Sequence, residues 1–428
     1  MGIKVQQKSQ LITPFGGISF VNEEFTRSGL SNLIDKELGE RNICGYQYSD
    51  IFRSWFSIFL CGGDVAEDIH THLRATLENI PSHRVPSPDT LRRGIKELST
   101  PNTTVTVPSS GKEYQFNINR KLNALNIKSL LRTGGLARGN SYDFDYDNQI
   151  IEHEKYDAKR TYKMNTGYFP GIATIGDKIV YIENRDGNAN VKTGQADTLE
   201  RAYILLSENG IRINRSRMDA GSYSNDIVKV VAKYSNLFYI RANKCDTLTE
   251  SIGQITDWKT VEINYNTYQV ASIPFTGFKE ANNYRLVVMR EKINDNQLDL
   301  FEGEKFNYRC ILTNDHVSSD KEIIEYYNGR GASEKIFDIQ NNDFGWARLP
   351  CSDMNYNTVY LILTAMIKNF YNYFVEKVSK IFEDILPTTR LKRFIFRFIC
   401  VAGVWIKQSR QWKLRLYSNR PYHLLQFE

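Results

Sequence analysis

The chain has 428 residues, of which 41% are hydrophobic and 24% are charged, and this composition argues against an intrinsically disordered or fibrous protein. Its length predicts roughly two to four structural units and is sufficient for an enzyme. The net charge is +6, from 55 basic and 49 acidic residues, so the total alone does not indicate a polyanionic partner. The six cysteines are scattered without a Cys-x-x-Cys pair, which argues against a structural zinc site and a disulfide framework.

Neither end of the chain has the pattern of a membrane or export signal. Residues 1–13 lack the apolar centre of a signal peptide. The longest apolar run near the C-terminus, residues 394–406, is too short for a transmembrane helix and contains Arg397. We therefore expect a protein without a membrane span that works in a reducing cytoplasm.

The first quarter of the chain has helical periodicity. Apolar side chains in residues 27–135 are spaced three and four apart, which predicts a mainly helical N-terminal DNA-binding domain over residues 1–137. The polar stretch of residues 99–112, which contains Pro and Gly, predicts a loop. A further helix is expected over residues 117–133.

One helix in this region has a clear start signal and a basic surface. Ser87, Pro88 and Asp89 have the order of an N-cap, a first helical residue and a first-turn acid. The helix that follows carries Arg92 and Arg93 as candidate DNA contacts. A solvated helix face is the simpler interpretation of such a charge cluster, and both interpretations stay open.

Residues 138–243 change to short β-rich runs that alternate with helices, a pattern typical of a mixed sheet covered by helices. The predicted elements are, in order, strands 142–151, 171–175 and 178–182, a helix 198–209, a strand 211–218, a helix 224–234 and a strand 237–242. We interpret this segment as the first part of a catalytic core.

The core should be interrupted by a β-rich insertion. Residues 244–320 are strand-dominated, most clearly in the runs 260–273, 284–290 and 308–313. Helical periodicity returns in residues 321–386, which form the predicted second part of the core and include a long apolar helix.

The last segment, residues 387–428, is basic. It contains nine Lys or Arg and no Asp or Glu within residues 390–420, and Arg390, Lys392 and Arg393 begin this run. Aromatic residues are interleaved with the charges, a mixture suited to phosphate contacts and to packing. A helix that docks by its apolar face fits the same pattern.

Carboxylates are concentrated at three places on predicted ordered elements: Asp143, Asp145 and Asp147 on the first strand, Asp219 just past a later strand, and Glu334 on a helix. Because side chains alternate along a strand, the three strand acids point to one face, where they repel one another unless a cation is present. Carboxylates are suitable ligands for Mg²⁺ or Mn²⁺, and two such ions about 4 Å apart can activate a nucleophile and stabilise the leaving oxygen of a phosphodiester.

The most specific pattern surrounds Glu334. Residues 327–334 read Tyr-Asn-Gly-Arg-Gly-Ala-Ser-Glu, so Tyr327, Arg330 and Glu334 stand at i, i+3 and i+7 on one face of a helix. A carboxylate for a metal ion and an arginine, whose planar guanidinium suits phosphate oxygens, would then face the same cleft. The two intervening glycines weaken a helix, so Tyr327 could also precede it.

On these residues the chain resembles the insertion-sequence DDE transposases of insertion-sequence family 1380, within the wider group that carries a Tyr-x2-Arg-x3-Glu-x6-Lys signature. Tyr327, Arg330 and Glu334 match this signature in spacing, while the lysine position holds Asn341. The stretch Arg-Met-Asp-Ala-Gly around Asp219 is similar to the family's Arg-x-Asp-x-Gly motif.

Two further blocks carry the resemblance. Residues 145–148 resemble the family's first core strand, where we favour Asp147 over Asp145 as the metal ligand. Residues 344–350 are similar to the block that follows the glutamate helix.

The resemblance implies an α/β fold: a ribonuclease H-like catalytic core with an inserted β-unit, preceded by the helical N-terminal domain. It also implies a magnesium-dependent or manganese-dependent transposase that cleaves transposon ends and joins their 3′-hydroxyls to target DNA by two-metal-ion catalysis. Asp147, Asp219 and Glu334 would be the catalytic metal ligands, with carboxyl oxygens within roughly 4 to 7 Å of one another. Tyr327 and Arg330 would contact DNA.

The implied partner is double-stranded DNA, both transposon ends and target, in the bacterial cytoplasm at the nucleoid. Synapsis of two ends would require at least a homodimer. Trp258 in the insertion is a candidate for stacking on an unpaired base, although most tryptophans are core residues.

Two other functions fit part of the pattern. Asn341 at the lysine position would suit a catalytically inactive DNA-binding relic of the same family. A metal-dependent nuclease without strand transfer would need the same three acids. Taken one at a time, the strand acids could be a charged strand edge, Asp219 a turn residue, and Arg330 with Glu334 an exposed helix pair.

Overall fold

A computed structural model of the chain describes residues 3–6, 11–41, 45–81, 83–243, 246–278, 283–292 and 306–425. The fold is mixed α/β, with a large central sheet and helices packed around it. Parts of the predicted β-rich insertion, namely residues 244–245, 279–282 and 293–305, lie outside the described residues.

The N-terminal region is mainly helical in the described residues. Its helices are α1 (Ile18–Arg27), α2 (Leu30–Leu38), α3 (Tyr48–Leu60), α4 (Arg74–Leu77), α5 (Pro88–Glu97) and α6 (Arg120–Arg132), with a π-helical turn Ile69–Leu73 before α4. Helix α5 begins as predicted, because the Ser87 side chain accepts a hydrogen bond from the Thr90 N–H and Pro88 is the first helical residue.

The loop predicted over residues 99–112 is wrong in part. Strand β1 (Thr103–Thr106) pairs antiparallel with β2 (Glu113–Asn117) and forms a hairpin. The threonines and valine of β1 are β-branched and favour an extended backbone, so the Pro and Gly of this stretch mark the turn of a hairpin and not a longer loop.

The middle of the chain builds most of the sheet. Its strands are β3 (Ser141–Asn148), β4 (Ile151–Glu152), β5 (Lys159–Arg160), β6 (Thr166–Tyr168), β7 (Gly171–Ile175), β8 (Lys178–Arg185), β9 (Arg212–Met218) and β10 (Ser235–Ala242). Helices α7 (Gln195–Glu208) and α8 (Asn225–Tyr234) connect β8 to β9 and β9 to β10. Strands β4, β5 and β6 form a small separate sheet.

The following strands extend the same sheet. After α9 (Asp246–Gly253) come β11 (Lys259–Ile263), β12 (Asn266–Pro274), β13 (Arg285–Lys292) and β14 (Phe306–Thr313). Within the described residues, the main sheet has 11 strands in the order β1-β2-β8-β7-β3-β9-β10-β14-β13-β12-β11. The single run predicted over residues 260–273 is a hairpin, because Asn264 and Tyr265 adopt positive φ values of 50° and 65° and turn the chain.

The C-terminal part returns to helices and ends in a hairpin. Its helices are α10 (Asp320–Asn328), α11 (Ala332–Asp343), α12 (Met354–Ser379) and α13 (Leu391–Phe394), and its strands are β15 (Gly403–Gln408) and β16 (Gln411–Leu416). Helix α12 is buried along most of its length. No helix in the described part of the chain, α12 included, combines the length and apolarity of a membrane span.

Two large hydrophobic clusters hold these elements together. One cluster joins the N-terminal helices to α12 and to the C-terminal segment, with Trp55, Tyr360 and Phe398 among its fully buried members. The other packs α7 and α8 against the central strands. The five-segment division of the chain remains a prediction. Parallel strands β3, β9 and β10 lie in the middle of the sheet, and their carboxyl ends position the site described next.

Candidate active site

Two aspartates leave the sheet side by side. Strands β3 and β9 are parallel neighbours, and Tyr146 lies opposite Met218 at the end of their register. The next residue of each segment is an acid: Asp147 lies within β3, and Asp219 directly follows β9 at the start of a 3₁₀ turn. Adjacent parallel strands therefore deliver two carboxylates to the same edge of the sheet, although the chain separates them widely.

The other acids of β3 are neutralised by arginines of β9. Arg215 donates to both oxygens of Asp143 at 2.9 and 2.5 Å, and Arg217 donates to both oxygens of Asp145 at 2.7 Å each. Both guanidinium groups lie over the ring of Tyr326, at 4.0 and 4.7 Å from its centroid. The repulsion expected among three acids on one strand face is thus removed at two of the three positions.

Asp147, the third acid of β3, has no arginine of β9 as its partner. Its position along the strand faces Asp219, and its cationic partner comes from a distant part of the chain: Arg330 donates from Nη1 to Asp147 Oδ2 at 2.7 Å. The other terminal nitrogen of Arg330 lies 3.9 Å from Glu334 Oε1. One guanidinium therefore contacts the carboxylates of two predicted metal ligands.

The electrostatics of the pair follow from burial and like charge. Burial and the neighbouring Asp219 carboxylate raise the pKa of Asp147 to about 6, although Arg330 acts in the opposite direction. Burial alone would lower the pKa of Arg330, but Asp147, Tyr327 and Asp219 raise it. The edge of the sheet thus carries more negative charge than one arginine compensates.

Asp145, the alternative first acid, is committed to the fold. Its side chain is 7% exposed, and both of its oxygens accept hydrogen bonds from Arg217. Burial raises the pKa of Asp145 in spite of the Arg217 hydrogen bonds. A carboxylate with both oxygens held in a buried ion pair is a poor ligand for a metal ion, so the geometry favours Asp147.

Of the two alternatives for the signature residues, a single helix through all three is wrong, and Tyr327 precedes the helix that carries Glu334. Helix α10 ends at Asn328, a 3₁₀ turn covers Gly329–Gly331, and α11 begins at Ala332. A Cβ atom on Gly329 would lie 2.7 Å from Arg217 Nη1, so glycine permits the close approach of this arginine. The 3₁₀ turn changes the direction of the chain at Arg330, and from this position the Arg330 side chain reaches Asp147.

Tyr327 is a buried residue at the end of α10. Its side chain is 9% exposed, and its hydroxyl donates to the Met218 carbonyl at 3.2 Å. Met218 directly precedes Asp219, so Tyr327 braces the strand end that presents this acid. Burial raises the pKa of the Tyr327 hydroxyl, which stays a neutral donor.

The predicted convergence of three carboxylates is not seen. Glu334 lies in the first turn of α11 with 73% of its side chain exposed. Among the described residues, no three or more His, Cys, Asp or Glu side chains are grouped so that they could hold a metal ion. The reason is local: Arg330 is bound to Asp147 on the inner side and lies between it and Glu334.

The predicted DNA contacts of the N-terminal region lie on α5. Arg92 forms an ion pair with Glu67 and a longer one, 3.5 Å, with Asp89. Arg93 is exposed on the same helix. Arg92 is therefore partly neutralised by the protein itself, while Arg93 presents its charge at the surface.

Among the predicted DNA contacts of the C-terminal segment, one is engaged in ion pairs within the protein and two are exposed. Arg390 pairs with Asp338 and Asp343 of α11 at 2.7 Å each, so it anchors the helix that carries Glu334. Lys392 and Arg393 are exposed on α13.

Trp258 is half-buried against the hydrophobic cluster behind the sheet. Its Nε1–H donates to the Ile255 carbonyl at 3.1 Å, and the Arg290 guanidinium lies 3.9 Å from its ring centroid. One face of the indole is thus covered by a protein cation, and its base-stacking role stays a prediction.

Sequence reasoning assigned no role to four arginines around the site, although Arg217 belongs to the motif that contains Asp219. Arg215 and Arg217 repeat with the period of two that Asp143 and Asp145 have on β3, and this matched alternation was the available signal. Arg241 and Arg309 line a small cavity of about 60 Å³ beside Tyr327. Arg241 lies on β10 and Arg309 on β14, and these two strands, distant in the chain, are neighbours in the sheet.

Comparisons with known proteins place the chain in a family. The model of the transposase DDE domain group 1 matches residues 143–426, more than half of the chain. No curated protein matches the chain. Among solved structures, the fold is similar to that of piggyBac transposase, determined by cryo-EM in a synaptic complex with hairpin DNA, with 10% identity and a TM-score of 0.44 over 90% of this chain and 78% of that chain. The chain belongs to the family of transposases with a DDE domain of group 1.

Proposed function

We propose that this transposase is an active insertion-sequence enzyme of family 1380 that uses Asp147, Asp219 and Glu334 to cleave transposon ends and join their 3′-hydroxyls to target DNA. The observation that carries the proposal is the break in the series of Asp–Arg pairs: directly after the last paired residues of β3 and β9, Tyr146 and Met218, come two acids, Asp147 and Asp219, which act on each other as like charges. A fold gains nothing from two adjacent carboxylates, whereas a cation site requires them.

The donor set fits Mg²⁺ or Mn²⁺. Asp147 and Asp219 supply hard oxygen ligands, and the pKa of Asp147 is raised by burial and by the Asp219 carboxylate, a like-charge repulsion that a divalent cation would offset. Glu334 would complete the set from α11, and its exposed side chain is held only by the long contact to Arg330. When bound, the two ions would activate the attacking oxygen and stabilise the leaving oxygen of the phosphodiester.

The residues around the acids have distinct roles in this proposal. Before DNA binds, Arg330 neutralises Asp147 through a hydrogen bond. On DNA binding, its guanidinium would leave Asp147 and donate to a phosphate oxygen of the bound strand. Tyr327 positions Asp219 through the Met218 carbonyl.

DNA contacts follow from the exposed cations. Beside Tyr327, Arg241 and Arg309 would contact the phosphates of the strand being cut. At the surface, Arg93, Lys392 and Arg393 would hold the flanking duplex. Synapsis of two transposon ends would require a homodimer, and the bacterial nucleoid would be its place of action.

Nicking of end DNA tests the proposal. The substrate is labelled double-stranded DNA that carries the inverted repeats flanking the coding segment, incubated with Mg²⁺. Wild type should nick it, Asp219→Ala should not, and Asp143→Asn, which loses an ion pair of β3 that is about one-third exposed, should retain activity. Absence of nicking by wild type would point to the inactive relic that Asn341 suggests.

Strand transfer of a pre-cleaved end distinguishes the transposase from a nuclease. Wild type should join the labelled 3′-hydroxyl to a target plasmid. Hydrolysis without any joined product would assign the site to a nuclease.

A further inference from the structure

A groove separates the N-terminal helices from the C-terminal hairpin, and the proposed catalytic residues do not line it. One wall consists of α1 and α3, and the other consists of β15, β16 and the segment after them. Its volume is about 1030 Å³, at the upper end of the range for small-molecule and cofactor sites, roughly 300–1,000 Å³.

Polar atoms in this groove are buried without partners. Ser19 and Asn22 are 7% and 5% exposed, and the Ser19 hydroxyl and both amide atoms of Asn22 have no hydrogen-bond partner among the described residues. The same holds for Arg53 Nε, His83 Nε2 and Trp405 Nε1, and all five residues line the groove. Buried polar groups normally have partners, so a cluster of orphaned ones in one groove points to a polar ligand.

Aromatic rings form the opposite wall. Trp405 of β15 and Trp412 of β16 lie on one face of the hairpin, because Trp405 pairs with Leu414 and Lys407 with Trp412 in the register. Trp412 is 50% exposed, which is unusual for so large an apolar side chain. Exposed indole rings beside a groove are suited to stacking on a flat ligand.

The charge of the groove is positive. Arg27, Arg53 and Arg420 line it, against Glu23 as its acid. Arg420 is engaged by Asp384, whereas Arg53 donates to the hydroxyls of Thr26 and Ser31 and has no carboxylate bonded to it in the described residues. A ligand with an anionic group next to a planar ring satisfies the guanidinium and the indole together.

We propose that this groove binds an unpaired nucleotide of single-stranded DNA, with its base on the tryptophans, its hydrogen-bonding edge at Asn22 and its phosphate at Arg53. An amide with one donor and one acceptor matches the paired acceptor and donor of an adenine edge. Bases in a duplex are stacked and paired, so they cannot reach tryptophans inside a groove unless they leave the helix. The inference goes beyond the proposed function, because neither carboxylates nor metal ions take part.

Fluorescence anisotropy of the full chain tests the proposal. The probe is a labelled single-stranded oligodeoxyadenylate of about ten nucleotides, in EDTA and about 0.15 M salt, so that cleavage cannot contribute. We expect this strand to bind at least about tenfold more tightly than an abasic strand of the same length or the matching duplex. Equal binding of the abasic strand, or of the duplex, would overturn the proposal.

Two variants locate the binding. Trp412→Ala should weaken binding of the oligodeoxyadenylate about tenfold with an unchanged melting temperature, because this side chain is half exposed. Tyr156→Ala, which removes an aromatic side chain that is 91% exposed outside the groove, is the matched control and should bind like wild type. Equal binding by both variants and wild type contradicts the assignment.

A second probe separates the two sources of a nucleotide. Adenosine monophosphate should compete with the labelled strand at least about a hundredfold more weakly than the unlabelled oligonucleotide, since one nucleotide lacks the neighbouring phosphates. Competition at equal strength would assign the groove to a free nucleotide and reject the strand. An enzyme inactive in the nicking assay can still pass these tests, so the two failures are distinguishable.

Discussion

Asparagine substitutions along β3 should separate a structural acid from a catalytic one. Asp145 is 5% exposed and both of its oxygens are bonded to Arg217. Removal of one partner from a buried ion pair leaves the other charge uncompensated and costs about 3–5 kcal/mol. The Arg217 side chain keeps 13% exposure, so Asp145→Asn should lower the free energy of unfolding by an amount near the lower limit, about 3 kcal/mol.

The same substitution at Asp147 should have the opposite profile. Asp147 has a like charge, Asp219, as a neighbour and loses one hydrogen bond from Arg330, where Asp145 loses a bidentate pair, so Asp147→Asn should lower the free energy of unfolding clearly less than Asp145→Asn. DNA nicking should fall at least about a thousandfold, since metal ligands supply several kcal/mol of transition-state stabilisation.

Chemical denaturation and the nicking assay, run on the same preparations, measure both effects. Asp143→Asn is the matched control: its pair with Arg215 is about one-third exposed on both sides, so it should cost less than about 1 kcal/mol and retain nicking. The reasoning is refuted if Asp147→Asn still nicks DNA. It is also refuted if Asp145→Asn is as stable as wild type.

Two further predictions concern the scaffold. Burial lowers the pKa of Lys368 from 10.5 to about 8, so between these pH values the unfolded chain binds more protons and the stability of the fold rises with pH. The free energy of unfolding of Lys368→Met should therefore exceed that of wild type by at most about 3 kcal/mol at pH 7. Denaturation curves should show that this difference is lost by pH 10.5. Gly345 has a φ of +78°, and an added Cβ would lie 2.2 Å from the buried Tyr360 hydroxyl oxygen; Gly345→Ala should therefore lower the melting temperature much more than Gly176→Ala, where φ is +59° and nothing lies within 4 Å, and equal shifts would contradict the packing argument.

The pattern of the sequence predicts the regular elements of the middle of the chain well. Strand β7 has the predicted limits, and β9 and α8 begin within one residue of them. These elements have strong periodicity and are bounded by turn residues, so local propensity and tertiary packing agree.

The errors occur where tertiary partners decide the structure. The helix expected through Arg330 is broken because Gly329 must let Arg217 approach and Arg330 must reach Asp147. The loop expected before β2 contains a strand because β1 pairs with it, and pairing is not visible in a local window.

The site was predictable in its residue types and not in its partners. The resemblance to the transposase family singled out Asp147 and Asp219 as candidates, and the parallel register of β3 and β9 brings them to the same end of the sheet. The pairing of Asp145 with Arg217 was hidden because it depends on the order of strands in the sheet. The exposed position of Glu334 was hidden because it depends on the turn before α11.

Binding of Mn²⁺ measured by electron paramagnetic resonance, in the presence of transposon-end DNA, tests the central claim most directly. The measurement is made without denaturant, at a temperature where wild type and Asp145→Asn are both folded, and these two proteins should bind the ion with similar affinity. Asp219→Asn should lose at least about tenfold in affinity. Equal affinity of Asp219→Asn and wild type would contradict the claim that the acids at the ends of β3 and β9 form a metal site.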